Sequence, residues 1–500
     1  MNRIITDYLD NTASRFPDKM AFDDDTREVT FSRVRDEALK VAEALTDADI
    51  RKKPVAVLMD KKVECINAIL GVAYSGNFYT VLDVHMPEAR MRKILDVLEP
   101  EAIITDEEHK EQACSLAEDE MIVLYEDAMN LTPDEGRLAA VRESISPDET
   151  LYVLFTSGST GVPKGVMISH SNVMPYIEGL REDFDINENT IFANQAPFYF
   201  IMSGFEIYMA IYTGASCYII PKRMFSFPVM LLNYLKERRV NTLYWVPSIL
   251  CLLANFRALP EVHLDDLKLV IFGGEVMPSK QLNMWRREYP DVIFVNGYGP
   301  TEMTDFISYY VVDREIDDNE SLPIGKCVSY MKILLLDDSG HEVEEGQIGE
   351  LCGYGPNTAG GYYNMPEKTA EVFTPDPTDP DSGRIIYHTG DLARVDERGD
   401  LIYMGRKDFQ IKHMGHRIEL GEIETAVSAL DGIMQNCCHY DTKRSKIVLF
   451  YTGSLTEDEI DEQLRKVIPD YMIPNRMEKL AQMPLNLNGK IDRAALKEQI

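Results

Sequence analysis

A chain of 500 residues with a formal net charge of -32, 45% hydrophobic and 27% charged residues, has the composition of a folded acidic protein rather than of a disordered or fibrous one. At about 150 residues per domain it exceeds one folding unit. So large an acidic excess argues against nucleic acid or an anionic membrane as a partner, since both attract basic surfaces.

No stretch reaches the ~18 uninterrupted apolar residues of a membrane span. The opening MNRIITDYLDNTASRFPDK lacks a continuous apolar signal core, so no membrane span and a cytoplasmic location are expected. The eight cysteines are scattered, apart from Cys437 and Cys438, and form no CxxC pair. That spacing indicates neither a zinc site nor a disulfide framework, and reduced thiols are expected.

Residues 30 to 125 alternate helical patterns with short apolar runs: VAVLM (55–59), FYTVL (78–82), AIIT (102–105) and MIVLY (121–125). This alternation predicts an α/β fold. After YVLFTSGSTGVPKGV (152–166) it resumes with CYII (217–220), NTLYWV (241–246), KLVIFGG (268–274) and VIFVNGYG (292–299). Glycine and proline bound these runs, as expected of buried strands feeding loops. From about Ser321 the texture changes to short alternating segments, KILLLDDSG, GELCGY and DLIYMGR, which predict a β-rich subdomain. FTPDPTDPDSGR (373–384) reads as a surface loop, and residues 409–500 as a small α+β segment.

One basic island interrupts the acidic background. In GRKDFQIKHMGHR, Arg406, Lys407, Lys412, Arg417 and two histidines accompany a single acid, Asp408. It reads either as a solvated hairpin or as a surface that receives an anionic partner.

The loop after YVLF offers hydroxyls, glycines and Lys164. Backbone N–H groups and hydroxyls in such a loop can wrap a phosphate, because glycine removes the steric barrier. Lys164 is followed by Gly165, so the spacing is not that of a P-loop nucleotidase. Four further motifs follow in order: NGYGPTE (296–302), YHTGDLA (387–393), GRKDFQIKHMGHRIELGEIE (405–424) and NLNGKIDR (486–493).

Together with TSGSTGVPKGV these motifs resemble the adenylate-forming superfamily, which includes acyl-CoA synthetases and the adenylation domains of nonribosomal peptide synthetases. The resemblance implies a large N-terminal domain over residues 1–407, with its β-rich subdomain at about 321–407, and a mobile C-terminal lid over 408–500. It also implies an ATP-dependent, AMP-forming ligase. A carboxylate attacks the α-phosphate of ATP, pyrophosphate leaves, and the acyl-adenylate then passes to a thiol.

By the same resemblance Thr156, Ser157, Gly158, Ser159, Thr160 and Lys164 hold the β- and γ-phosphates. Thr301 and Glu302 serve the α-phosphate, with Glu302 the ligand of Mg²⁺. Gly274, Glu275, Asn296, Gly297, Tyr298 and Gly299 belong to the nucleotide site, Tyr298 near adenine. Asp391 accepts from the ribose hydroxyls, and Arg406 contacts ribose or phosphate. Lys490 bridges the substrate carboxylate and the AMP phosphate. Asp408 is the hinge about which the lid turns, and Gly415 lines the thiol channel.

Within the superfamily, NQAPFYF (194–200), FGGEVMP (272–278) and SLPIGKC (321–327) look like the stand-alone D-alanine:carrier protein ligases of teichoic-acid D-alanylation. The acceptor implied is therefore a phosphopantetheinyl acyl or peptidyl carrier protein, and the expected state is a monomer. The acyl pocket implied is Ile201, Met202, Phe205, Ser248 and Ile271 with Gly273, Asp305 and Phe306.

Two departures bear on the acid. Ile201 stands where amino-acid-activating relatives carry an aspartate for the substrate ammonium. Against isoleucine the ammonium forgoes a charge-assisted hydrogen bond worth about 1.5–3 kcal/mol. Gly273 replaces the cysteine usual in the D-alanine subgroup. With Gly297 it predicts a pocket open on two walls, suited to an aromatic or medium-sized acid. Asp305 reads either as a pocket acceptor or as a solvent-facing acid.

A small carboxylic or amino acid is thus the expected substrate. The alternatives are a D-alanine ligase whose ammonium is held by Asp305 or by carbonyls, an acyl- or aryl-CoA ligase, and a non-catalytic adenylate-binding protein.

Overall fold

The computed structural model describes residues 4–158, 161–485 and 491–500. Lys490, Ser159 and Thr160 lie outside the described residues. The chain divides into two compact units. One comprises residues 1–84, 100–154 and 166–407, and the other 85–99, 155–165 and 408–500.

Among the described residues of the first unit, a nine-stranded sheet runs in the order Lys326–Cys327, Ser308–Val311, Ile293–Tyr298, Leu269–Gly273, Thr242–Trp245, Ile191–Asn194, Ser216–Ile219, Met20–Asp23 and Glu28–Thr30. Its central strands pair in parallel and its edges are antiparallel. A second sheet, also mixed with helices, contains Ala102–Thr105, Pro54–Leu58 and Phe78–Leu82 as parallel neighbours. One apolar core joins the sheets through the helices Ile5–Arg15, Phe31–Asp47, Val63–Tyr74 and Ile201–Thr213, as both faces of a parallel sheet must be covered.

The predicted β-rich region folds as an antiparallel sheet of Lys332–Leu336, Gly349–Tyr354, Ile385–Val395, Phe373–Pro375 and Leu401–Arg406. The run FTPDPTDPDSGR is not wholly loop: Phe373–Pro375 pairs with Ile385–Val395, and a 3-10 turn follows at Pro380–Ser382.

In the second unit, the basic island folds into the hairpin Gln410–His413 and His416–Glu419. Its turn places Met414 (φ 52°) and Gly415 (φ 81°) in the left-handed region, the twist that tight hairpins need. A sheet of Ile433–Asp441, Lys446–Gly453 and Arg476–Lys479 packs with the helices Leu420–Ser428 and Glu457–Leu464 around its own core.

Candidate active site

In the first unit, the strand Ile293–Tyr298 ends on GYGPTE and the chain turns sharply through the 3-10 turn Thr301–Met303. A Cβ on Gly299 would stand 1.4 Å from the Asp305 carbonyl oxygen, so only glycine permits this turn. Thr304 (φ 51°) and Asp305 (φ 75°) are both left-handed, a conformation that β-branched threonine adopts only under constraint. The Thr304 hydroxyl supplies one constraint by donating to the Asn357 carbonyl at 2.7 Å.

Glu302 is fully buried at this turn. Tyr362 OH donates to its Oε1 at 2.7 Å, and the Glu302 carbonyl accepts from Ala359 N at 2.9 Å. The carboxylate offers hard oxygen donors, the kind magnesium takes.

Tyr298, Asp391 and Arg406 come together from three strands. Asp391 and Arg406 are directly opposed in their strand pair. Arg406 Nη1 donates to Asp391 Oδ1 at 2.8 Å, and Tyr298 OH donates to Oδ2 at 2.5 Å. Burial, and then the adjacent Asp391 charge, push the Tyr298 phenol well above its ordinary pKa, so it remains a donor.

The residues expected to line the acyl pocket also converge. Gly273 and Gly297 are register partners on adjacent strands, with Ile271 two residues earlier. Met202 and Phe205 sit in the first turns of Ile201–Thr213, where Ile201 is the first helical residue and packs half-buried on the core. Ser248 N donates to Glu275 Oε2 at 3.0 Å. Met202 Sδ would lie 3.7 Å from a Cβ on Gly274. Asn296 is committed elsewhere, its amide donating to the Pro323 carbonyl at 2.7 Å.

The two glycines do not open the pocket as the sequence suggested. A Cβ on Gly297 would meet the Phe306 ring at 2.1 Å, and one on Gly273 would lie 3.4 Å from the same ring. At Gly273 the nearer obstacle to a Cβ is the Gly297 carbonyl oxygen at 2.8 Å, whereas Phe306 occupies the space released at Gly297. It continues an aromatic cluster through Tyr244 (centroids 5.2 Å apart), Phe205 (5.1 Å from Tyr244) and Tyr176 (6.0 Å from Phe205).

Asp305 is buried rather than solvent-facing. Tyr176 OH donates to Oδ2 at 2.5 Å, and Tyr244 OH lies 3.0 Å and 2.9 Å from the two carboxylate oxygens. Burial and the Asp305 charge raise both phenols well above their usual pKa, which keeps them as donors to a carboxylate. Neither tyrosine, nor Tyr362, was singled out from the sequence. They lie 129, 61 and 60 residues from their carboxylate partners, and no local pattern announces such pairing.

In the second unit, Ser157, Gly161 and Lys164 pack with the hairpin and the helix after it. Ser157 Oγ donates to the Arg417 carbonyl at 2.8 Å and accepts from Glu419 N at 3.1 Å. Lys164 Nζ lies 3.8 Å from Glu419 Oε1. The Thr156 hydroxyl is 3.5 Å from the Lys164 carbonyl, and Gly161 N donates to the Gly158 carbonyl at 2.9 Å. Arg90 and Glu422 form a buried ion pair beside the loop. Burial raises the Glu422 pKa against the opposing pull of Arg90. Asp408 Oδ1 accepts from Gln410 N at 3.1 Å, starting the hairpin.

Residues 9–363 match the family model described as AMP-binding enzyme. The chain is 32% identical over 508 residues to a mycosubtilin synthase polypeptide of Bacillus subtilis, matching 99% of this chain but spanning only 19% of that protein. It is 28% identical to the D-alanine--D-alanyl carrier protein ligase of Lacticaseibacillus casei strain BL23, covering 100% of this chain and 99% of that one. Among solved structures, holo-PA1221, a nonribosomal peptide synthetase protein containing adenylation and carrier domains, superposes with a TM-score of 0.81 at 25% identity, over 100% of this chain and 84% of that one. The chain belongs to the AMP-binding enzyme family, the adenylate-forming enzymes that activate acids.

Proposed function

We propose that the protein adenylates a small acid bearing an amine and passes the acyl group as a thioester to the phosphopantetheine arm of a carrier protein. The observation that carries the substrate reading is the buried Asp305 carboxylate, fixed by Tyr176 and Tyr244 among the residues expected to line the acyl pocket. Two phenol donors stabilise its ionised form, and an ionised buried carboxylate attracts an ammonium. The carrier reading rests on the end-to-end likeness to a carrier protein ligase and on the likeness to a protein that joins adenylation and carrier domains.

In this reading residues 1–407 bind ATP and the acid, and residues 408–500 form the lid. The substrate carboxylate attacks the α-phosphorus of ATP, the bond to the β-phosphate oxygen breaks, and pyrophosphate leaves. Lys164 neutralises charge on the leaving pyrophosphate, and the hydroxyls of Thr156, Ser157, Ser159 and Thr160 donate hydrogen bonds to it. Lys490 offsets charge between carboxylate and phosphate. Asp391 takes the ribose hydroxyls, and Arg406 holds Asp391 in place. Thr301 and Glu302 face the α-phosphate, and the buried oxygen donors of Glu302 suit a magnesium ion, which supplies charge neutralisation when bound. After the lid turns at Asp408, a thiolate attacks the acyl carbon along the channel at Gly415, and AMP departs.

Asp305→Asn tests the substrate reading. It keeps the shape and removes the charge, so ATP-pyrophosphate exchange with amine-bearing acids is expected to fall about 10- to 100-fold in kcat/KM, as loss of a charged hydrogen bond of about 1.5–3 kcal/mol implies. Exchange with an uncharged acid of equal size should change little. Equal loss for both classes would mean that Asp305 only supports the fold.

A further inference from the structure

The antiparallel pair Gly349–Tyr354 and Ile385–Val395 places Cys352 directly opposite His388, with Glu350 two residues earlier on the same strand. The pairing shifts register between Glu350 and Cys352, and across this irregularity three donor side chains of different softness come together. Cys352 Sγ is 3.3 Å from His388 Nδ1, which is 3.2 Å from Glu350 Oε2. All three ligand atoms lie within 4.8 Å of one another. A tetrahedral ion with bonds of about 2.0–2.3 Å sets neighbouring ligand atoms about 3.3–3.8 Å apart, close to these separations.

We propose that Glu350, Cys352 and His388 form a binding site for a zinc-class divalent cation. A thiolate, an imidazole and a carboxylate suit a borderline ion rather than magnesium or calcium, which take oxygen. The ring of His388 is set for the task. Its Nε2 lies 3.1 Å from the Thr374 hydroxyl, which can accept Nε2–H once a cation takes the Nδ1 lone pair. Glu350 is fixed from behind, its Oε1 accepting from Gly390 N at 3.1 Å. Lys407 Nζ is shared between Glu350 Oε2 at 3.3 Å and Asp338 at 2.8 Å. When a cation takes Glu350, Lys407 retains Asp338. The Cys352 thiol proton passes to solvent on binding. With Glu350 and His388 partly exposed, water reaches the fourth position. The ion clamps the two strands three residues before Asp391.

The test uses the full chain stripped with a chelator, re-exposed to zinc and desalted. Elemental analysis is expected to find about one zinc per chain, lost in Cys352→Ser and in His388→Ala. Thr374→Val, which keeps all three ligands, should weaken binding about 10- to 100-fold. Cobalt(II) in the unmodified protein should show a thiolate-to-metal absorption band, and this decides the matter if the ligand variants do not fold. A desalted chain without zinc, zinc retained undiminished in both ligand variants, or cobalt bound without the thiolate band would each overturn the site.

Discussion

Lys490→Ala is expected to slow acyl-adenylate formation by about 10²–10³-fold, the cost of removing one positioned charge from a developing transition state. Thioester transfer from a supplied acyl-adenylate should proceed at nearly the original rate. The split follows from the roles assigned to the lid. In the proposed mechanism the lysine serves only while carboxylate and phosphate are joined, and a different face, around Gly415, serves the thiol. The two half-reactions are separable by measuring ATP-pyrophosphate exchange and, independently, single-turnover transfer from synthetic adenylate. Equal loss in both would contradict a lid with two working faces.

Asp391→Asn carries the second large effect. Arg406 donates to this carboxylate in a buried setting, and removing the negative charge takes the Asp391 counter-charge from the guanidinium. Breaking a buried pair on one side costs about 3–5 kcal/mol, so a lower Tm is expected along with a loss of exchange. Asp391→Asn combined with Arg406→Met removes both charges. The double variant should regain much of the lost stability, because a buried pair replaced by apolar volume is often neutral, yet exchange should remain low. Recovery of exchange together with stability would show that the pair serves the fold and not the nucleotide.

Much of the strand pattern is legible locally. FYTVL and AIIT coincide with Phe78–Leu82 and Ala102–Thr105, because a short apolar run closed by turn residues has few other uses in an α/β chain. MIVLY overshoots: the strand is Ile122–Leu124, and Tyr125 opens a short helix. The long strand Ile385–Val395 is hidden in the sequence, where YHTGDLA reads as a polar motif rather than as alternation. Its side chains are matched to partners far along the chain, as in the pair Cys352 and His388.

The candidate site shows the same division. Motif residues are visible because their types announce charge and phosphate chemistry. What surrounds them is not. The glycines at 273 and 297 suggest space, and Phe306, whose backbone direction is set by the left-handed pair Thr304 and Asp305, fills that at Gly297. Asp305 read equally well as exposed, since buried acids are uncommon without partners, and its partners Tyr176 and Tyr244 come from a helix and a strand far along the chain. The Cys352, His388 and Glu350 cluster escapes spacing rules altogether, because its ligands face one another across strands instead of lying in a local motif.

Activation of a small amine-bearing acid is tested by ATP-pyrophosphate exchange with the purified chain across D-alanine, L-amino acids, β-amino acids, hydroxy acids and aryl acids. Exchange is expected with one or more small acids that carry an amine, and little with hydroxy or aryl acids. Exchange confined to acids without an amine would contradict the role given to Asp305, and exchange with none of them would contradict activation of a small acid.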